Sequence, residues 1–302
     1  SKRDIEITER HREQCLLPVD AEIIPNRRGT APAMYFEKDG RHTFCLPGVP
    51  HEMKNMVSED ILPRLRQLET RKVHTRIIRT VGVPESTLYN MVKHHIEHLP
   101  DNMTAFLPHG YGVDIRLLAD ETDMSEKKLN QLVRELKATV GQPAYAEEDV
   151  PLSAVIGDML RERDLTLATA ESCTGGMLAD EVTNISGSSD YFLAGYVTYS
   201  NEAKMRELSV PEDLIIRHGA VSEQVAASMA TGAVKASGAR TALSTTGIAG
   251  PTGGTEEKPV GLVYIGCAIG ENVTVRKFEF SDDRRLNKMR SVYAALNLLR
   301  TQ

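Results

Sequence analysis

Apolar positions recur with two different periods along this chain, and the way the periods follow one another divides it into three segments. In residues 1–67 they are sparse and broken by turn signals, PNRRGTAP (25–32) and LPGVPHEM (46–53). A short strand over 43–46 and a helix over about 50–65 are expected there, too few elements to close a core alone. Residues 68–147 read strand, helix, strand, strand, helix. VHTRIIRTV (73–81) alternates as a strand does, and Pro84 and Glu85 open a helix to about 96. Strands over 103–107 and 113–118 flank a turn at 108–112, and Ser125 can cap a helix to about 140 that Gly141 stops. That order predicts a small split α/β layer. In residues 148–302, helices over 151–163, 174–185, 222–237 and 283–299 alternate with strands over 165–170, 191–199 and 240–246. An antiparallel pair, 259–268 and 272–280, turns at Gly270-Glu271. This predicts a mixed sheet covered by helices, and the fold class is α/β throughout.

Composition narrows the picture. Hydrophobic residues make up 41% and charged residues 26%, which excludes disordered, collagenous and coiled-coil chains. The net charge is −6, and Lys+Arg against Asp+Glu counts 11 to 11, 10 to 11 and 15 to 20 in the three segments. No segment carries the concentrated positive charge that a phosphate backbone requires, and Trp is absent, so no nucleic-acid partner is expected. No apolar run reaches the ~18 residues of a membrane helix, and residues 1–12 lack a signal-peptide core; no membrane partner and a cytoplasmic location are expected. Cys15, Cys45, Cys173 and Cys267 have no C-x-x-C spacing, which leaves zinc and dithiol redox motifs unsupported.

Candidate chemistry gathers in four runs. In AESCTGG (170–176) a buried strand passes into a helix, where paired glycines and free backbone N–H groups can hold a phosphate or an oxyanion. The plain reading is a helix start capped by Ser172 or Thr174. In YVTYSNEAK (196–204) hydroxyl, amide and amine groups meet at a second strand end; its plain reading is a Ser200 cap and a solvated Lys204. STTGIAGPTGGT (244–255) is a strand opening into a glycine loop able to cradle an anion, or a mere surface connection. FSDDRR (280–285) offers Asp282 or Asp283 as a cap and Arg284 as a phosphate ligand.

Taken together, these runs resemble one family: the C-terminal domain of the competence/damage-inducible CinA proteins, the nicotinamide-nucleotide amidohydrolases. The resemblance spans 150–302 through AESCTGG, ISGSSDYF, YVTYSNEAK, HGAVSE, TTGIAGPTGG, KPVGLVYI and DRRLNKMR. It implies a mixed α/β sandwich that hydrolyses the carboxamide of nicotinamide mononucleotide to nicotinate mononucleotide and ammonia. Ser172 is the implied nucleophile, with Tyr199 and Lys204 as its partners. Substrate contacts are expected from Glu171, Cys173, Thr174, Gly175, Gly176, Thr246, Gly247, Gly250 and Arg284. No cofactor or metal is implied for deamidation, and a homodimer is. The chemistry is coherent: a serine hydroxyl needs a base, a lysine with a lowered pKa can be one, and Tyr199 can relay a proton. His218 is the only histidine after 109 and sits in an expected loop, so a Ser-His-Asp triad is poorly supported. Cys173 competes as nucleophile.

Upstream, GTAP (29–32) and LPGVPHEM (46–53) resemble the end of a molybdopterin-binding-like domain over 1–67, and 68–147 resembles a KH-like linker domain without the G-x-x-G loop. In the family the first domain is linked to cleavage of ADP-ribose with a divalent metal. The Gly- and Asp-rich motifs that open it are missing, and Ser1 is expected to fall past its middle. Asn26, Thr30 and Glu52 are remnants of that site or, as preferred here, plain turn and helix-start residues. Two other functional readings stand beside the amidohydrolase: a nucleotide-binding or recruitment module without hydrolysis, and an ADP-ribose pyrophosphatase that needs the first half of that domain.

Overall fold

The computed structural model describes residues 16–68, 72–280 and 283–302; Cys15, the charged stretch 1–12 and Asp282 lie outside them. The chain divides into two compact units, one up to Lys72 and one from Val73 to Gln302.

In the first unit, β1 (Glu22–Ile24), β2 (Ala33–Lys38) and β3 (Arg41–Cys45) form an antiparallel sheet in that order. Only β3 was expected. The β2–β3 turn is Asp39-Gly40, both at positive φ, a two-residue hairpin whose D-G signal was there to be read. The expected helix runs on past 65 as α1 (Pro50–Met56), a π-helical turn (Val57–Ile61) and α2 (Leu62–Leu68). Pro63 has no N–H for the carbonyl four residues back, and the wide turn beside it absorbs the misfit. The core is small: Ile24, Ala33, Met56 and Ile61.

The second unit opens with β4 (Val73–Thr80), α3 (Glu85–Ile96), β5 (Thr104–His109), β6 (Gly112–Asp120), α4 (Glu126–Val140) and β7 (Ala144–Ala146). The sheet order is β5-β6-β4-β7, with Leu88, Val92, Leu129 and Leu136 packed on Ile115 and Leu117. The hairpin is tighter than expected. His109 pairs with Gly112, so Pro108 lies within β5, an edge strand on which a missing N–H costs no ladder bond. Three-residue β7 was not expected.

There follow α5 (Leu152–Glu162), β8 (Leu167–Glu171), α6 (Met177–Thr183), β9 (Phe192–Val197), α7 (Asn201–Leu208), α8 (Glu212–His218) and α9 (Glu223–Ser237). The chain closes with β10 (Thr241–Gly247), β11 (Leu262–Ile269), β12 (Asn272–Glu279) and α10 (Arg284–Arg300). The five strands are ordered β12-β11-β10-β8-β9; β10, β8 and β9 are parallel and β11 and β12 antiparallel. Alternation along the strands splits the core in two. Leu167 and Leu243 pack with Leu152, Leu178 and Leu296 of α5, α6 and α10, while Ala168 and Ala242 pack with Leu208, Ile215 and Met229 of α7, α8 and α9. Small residues set the second spacing. A Cβ on Gly266 would stand 2.8 Å from Ala226 O, too close for any side chain. The mixed, helix-covered sheet is as expected. Helix α8 is not; it places His218 at a helix end instead of in a loop.

Residues 73–147 and 148–302 share this one unit, so the boundary expected at 68 falls at Val73. The Tyr111 ring of the β5–β6 turn stacks on Tyr293 of α10 at 3.3 Å and 8°, and Arg290 Nε donates to Gly110 O at 3.1 Å.

Candidate active site

Strand β8 lies between two parallel neighbours, so three chain segments leave the sheet at the same, carboxyl end, where open α/β sheets place their sites. Backbone bonds lock the segments together. Ser172 N donates to Thr245 O at 2.9 Å, and Thr198 N donates to Glu171 O at 2.8 Å.

The helix after Ser172 starts three residues later than expected, because Gly175 and Gly176 take φ of +62° and +93°. Neither Ser172 nor Thr174 caps it. Glu171, fully buried, folds its carboxylate back onto the N–H groups of Gly176, Leu178 and Ala179 at 3.0, 3.0 and 2.8 Å. Negative charge at a helix start is favourable, and charge-assisted bonds are strong. Glu171 therefore holds the turn and is not placed to contact substrate.

Lys204 sits in the first turn of α7, behind the Ser200 cap, whose Oγ accepts from Ala203 N at 3.1 Å. The cap is as expected, but the lysine is not solvated: it is 1% exposed. Its Nζ lies 3.0 Å from Ser172 Oγ, 2.9 Å from Thr198 O and 3.4 Å from Tyr199 O. Three acceptors match the three N–H bonds of an ammonium. A neutral amine fits equally well, with two N–H bonds to the carbonyls and its lone pair toward the serine hydroxyl. Burial holds the Lys204 pKa below its ordinary value, against the pull of Cys173 and Glu202.

The Cys173 thiol is buried in the α5–α6–α10 core, and burial pushes its pKa up to about 12, which disfavours its thiolate.

Tyr199 departs from its expected place. It is 63% exposed, and its hydroxyl accepts from Arg284 Nη2 at 3.1 Å; only its backbone carbonyl serves Lys204. Arg284 also donates through Nη1 to Gly250 O at 2.6 Å, and Asn287 Nδ2 donates to Ala249 O at 3.1 Å. The first turn of α10, capped by Asp283, thus ties the β9 and β10 loops together over the strand ends. Strand β10, which leads into the glycine loop, meets the Ser172 turn through Thr245. Several expected contacts are structural instead. Thr174 Oγ1 is buried against Thr245 Oγ1 at 2.7 Å, Thr246 Oγ1 donates to Ala220 O at 2.8 Å, and a Cβ on Gly247 would stand 2.6 Å from Leu262 O.

In the first unit, Asn26 Nδ2 donates to Glu52 Oε2 at 2.6 Å, joining a turn to the start of α1. Among the described residues no three His, Cys, Asp or Glu side chains converge to hold a metal, and none of the helices is long and apolar enough to cross a membrane.

Comparison with known proteins gives the chain its family. Residues 149–302 match the CinA C-terminal domain, and residues 75–146 match the KH domain of damage-inducible protein CinA. A CinA-like protein of Chloroherpeton thalassium is 42% identical over 99% of this chain and 74% of its own length. A putative competence-damage inducible protein of Clostridium novyi is 39% identical over 100% and 73%. The solved competence/damage inducible protein CihA of Agrobacterium tumefaciens is 41% identical, covering 50% of this chain and 92% of its own, with a TM-score of 0.49. The chain belongs to the CinA family.

Proposed function

We propose that this chain hydrolyses the carboxamide of nicotinamide mononucleotide to nicotinate mononucleotide and ammonia, with Ser172 as nucleophile and Lys204 as general base. The observation that carries the reading is the 3.0 Å approach of a buried, pKa-lowered amine to a serine hydroxyl at the mouth of parallel strands. Neutral Lys204 takes the Ser172 proton as Oγ attacks the carboxamide carbon. The carbonyl oxygen becomes an oxyanion. Ser172 N is spent on Thr245 O and Gly176 N on Glu171, so the N–H groups of Cys173, Thr174 and Gly175 are the remaining donors of the turn, and the oxyanion is assigned to them. The ammonium then returns its proton to the departing amine, giving ammonia and an ester on Ser172. Water, deprotonated by the same amine, attacks that ester and releases the acid. Thr198 O and Tyr199 O hold the amine in place in both protonation states. The test is ammonia release from nicotinamide mononucleotide by the unaltered chain and by Ser172→Ala. Release by the first and none above background by the second is expected; equal release by both contradicts the reading.

A further inference from the structure

One cation remains on the outer side of the Ser172 turn. Lys288 lies one helical turn after Arg284 in α10, half-buried. A Cβ placed on Gly175 would stand 3.5 Å from its Nζ, so the ammonium rests against the bare backbone three residues after Ser172. Three basic side chains border this turn, and among the described residues none forms an ion pair. Lys204 is engaged by Ser172 and two carbonyls, Arg284 by the Gly250 carbonyl and the Tyr199 hydroxyl, and Lys288 by no polar group. The nearest acid in sequence, Glu171, is turned inward onto α6. The start of α6 cannot itself receive an anion, because that carboxylate already occupies the N–H groups of Gly176, Leu178 and Ala179. Asp283 at the start of α10 is bonded to the N–H groups of Arg285 and Leu286. Among the described residues Arg284 and Lys288 therefore stand on the rim without an acid partner, an arrangement that favours an anionic ligand group.

We propose that Lys288 receives the phosphate of the substrate and is the residue that selects a mononucleotide over its nucleoside. The choice of phosphate rests on the amidohydrolase reading; the anion seat does not. A lysine serves as a point charge for a phosphate, and such a contact is made alike in the ground and transition states, so it acts on KM.

The test compares kcat/KM for nicotinamide mononucleotide and nicotinamide riboside in the unaltered chain, Lys288→Ala and Lys288→Arg. In Lys288→Ala the preference for the mononucleotide falls about tenfold, through KM, as the loss of one charge-assisted bond implies. Lys288→Arg recovers most of it. A preference changed less than about twofold, or lost through kcat, overturns the proposal. If the unaltered chain releases no ammonia, the amidohydrolase reading fails, and calorimetric binding of nicotinamide mononucleotide decides on Lys288. Binding about tenfold weaker in Lys288→Ala upholds the anion seat. Equal dissociation constants, or no binding by the unaltered chain, overturn it.

Discussion

Two lysines reach the Ser172 turn from opposite sides, one through the inner wall built by β9 and α7 and one across the outer rim built by α10. Lys204 is sealed from water, bonded to the serine hydroxyl and two carbonyls, and shifted down in pKa by burial. Lys288 rests half-buried beside Gly175 with no polar partner among the described residues. The contrast shows how one residue type is divided between two tasks. Desolvation lowers an amine's pKa and favours its neutral, proton-accepting form, while a partly exposed ammonium suits an anion. Tyr199 stands between the two regions, its carbonyl on Lys204 and its hydroxyl on Arg284.

The sharpest way to break this division is to remove the inner amine. Lys204→Met should lower kcat by about 10²–10⁴-fold, the range of a general base, with a smaller change in KM. A loss confined to KM would move Lys204 to the binding side. Next in size is the pH response. The folded chain releases the Lys204 proton at a lower pH than the unfolded chain does, so between that lowered value and about 10.4 the unfolded state binds more protons and stability rises with pH. Below the window both states hold the proton and the contribution is flat. Buried Cys173 and Cys267, whose pKa values are raised, contribute an opposite slope in both chains, so the difference in stability between the unaltered chain and Lys204→Met is what should rise with pH across this range. In the unaltered chain kcat/KM should rise with pH along a limb centred below the ordinary lysine value.

Glu171→Gln tests the frame that both regions share. The amide offers one acceptor oxygen where three N–H groups now meet a carboxylate, so a cost of about 1–3 kcal/mol and a lower melting temperature are expected. Unchanged stability with a raised KM would return Glu171 to the substrate-binding role that the sequence suggested. The smallest effect belongs to Tyr199→Phe. Its hydroxyl meets Arg284 in an exposed position, so KM should rise about two- to threefold with kcat nearly unchanged. A kcat loss of about a hundredfold would make Tyr199 the proton relay after all.

The larger architecture was legible because it rests on local signals. Apolar runs marked β8 and β10, Gly270-Glu271 marked the β11–β12 turn, and Asp283 caps α10 as FSDDRR suggested. What escaped reading depends on tertiary placement. Lys204 lies in a polar helix, NEAKMREL, whose pattern says solvent; only the sheet order β10-β8-β9 and the neighbouring β9 strand end bury it. Glu171 entered the expected site through the family resemblance of AESCTGG, yet its ligands are the N–H groups of its own chain five to eight residues on. Lys288 stood unremarked in DRRLNKMR, since no spacing brings α10 onto Gly175. Helix α8 and strand β7 are too short for periodicity to declare them.

The most direct measurement of the central claim is the site of the covalent intermediate. The chain is mixed with nicotinamide mononucleotide, quenched in acid during turnover, digested and mapped by mass spectrometry. The account predicts an ester of the nicotinate mononucleotide acyl group on Ser172, absent from Ser172→Ala. An adduct on Cys173, or continued turnover by Ser172→Ala, would contradict it.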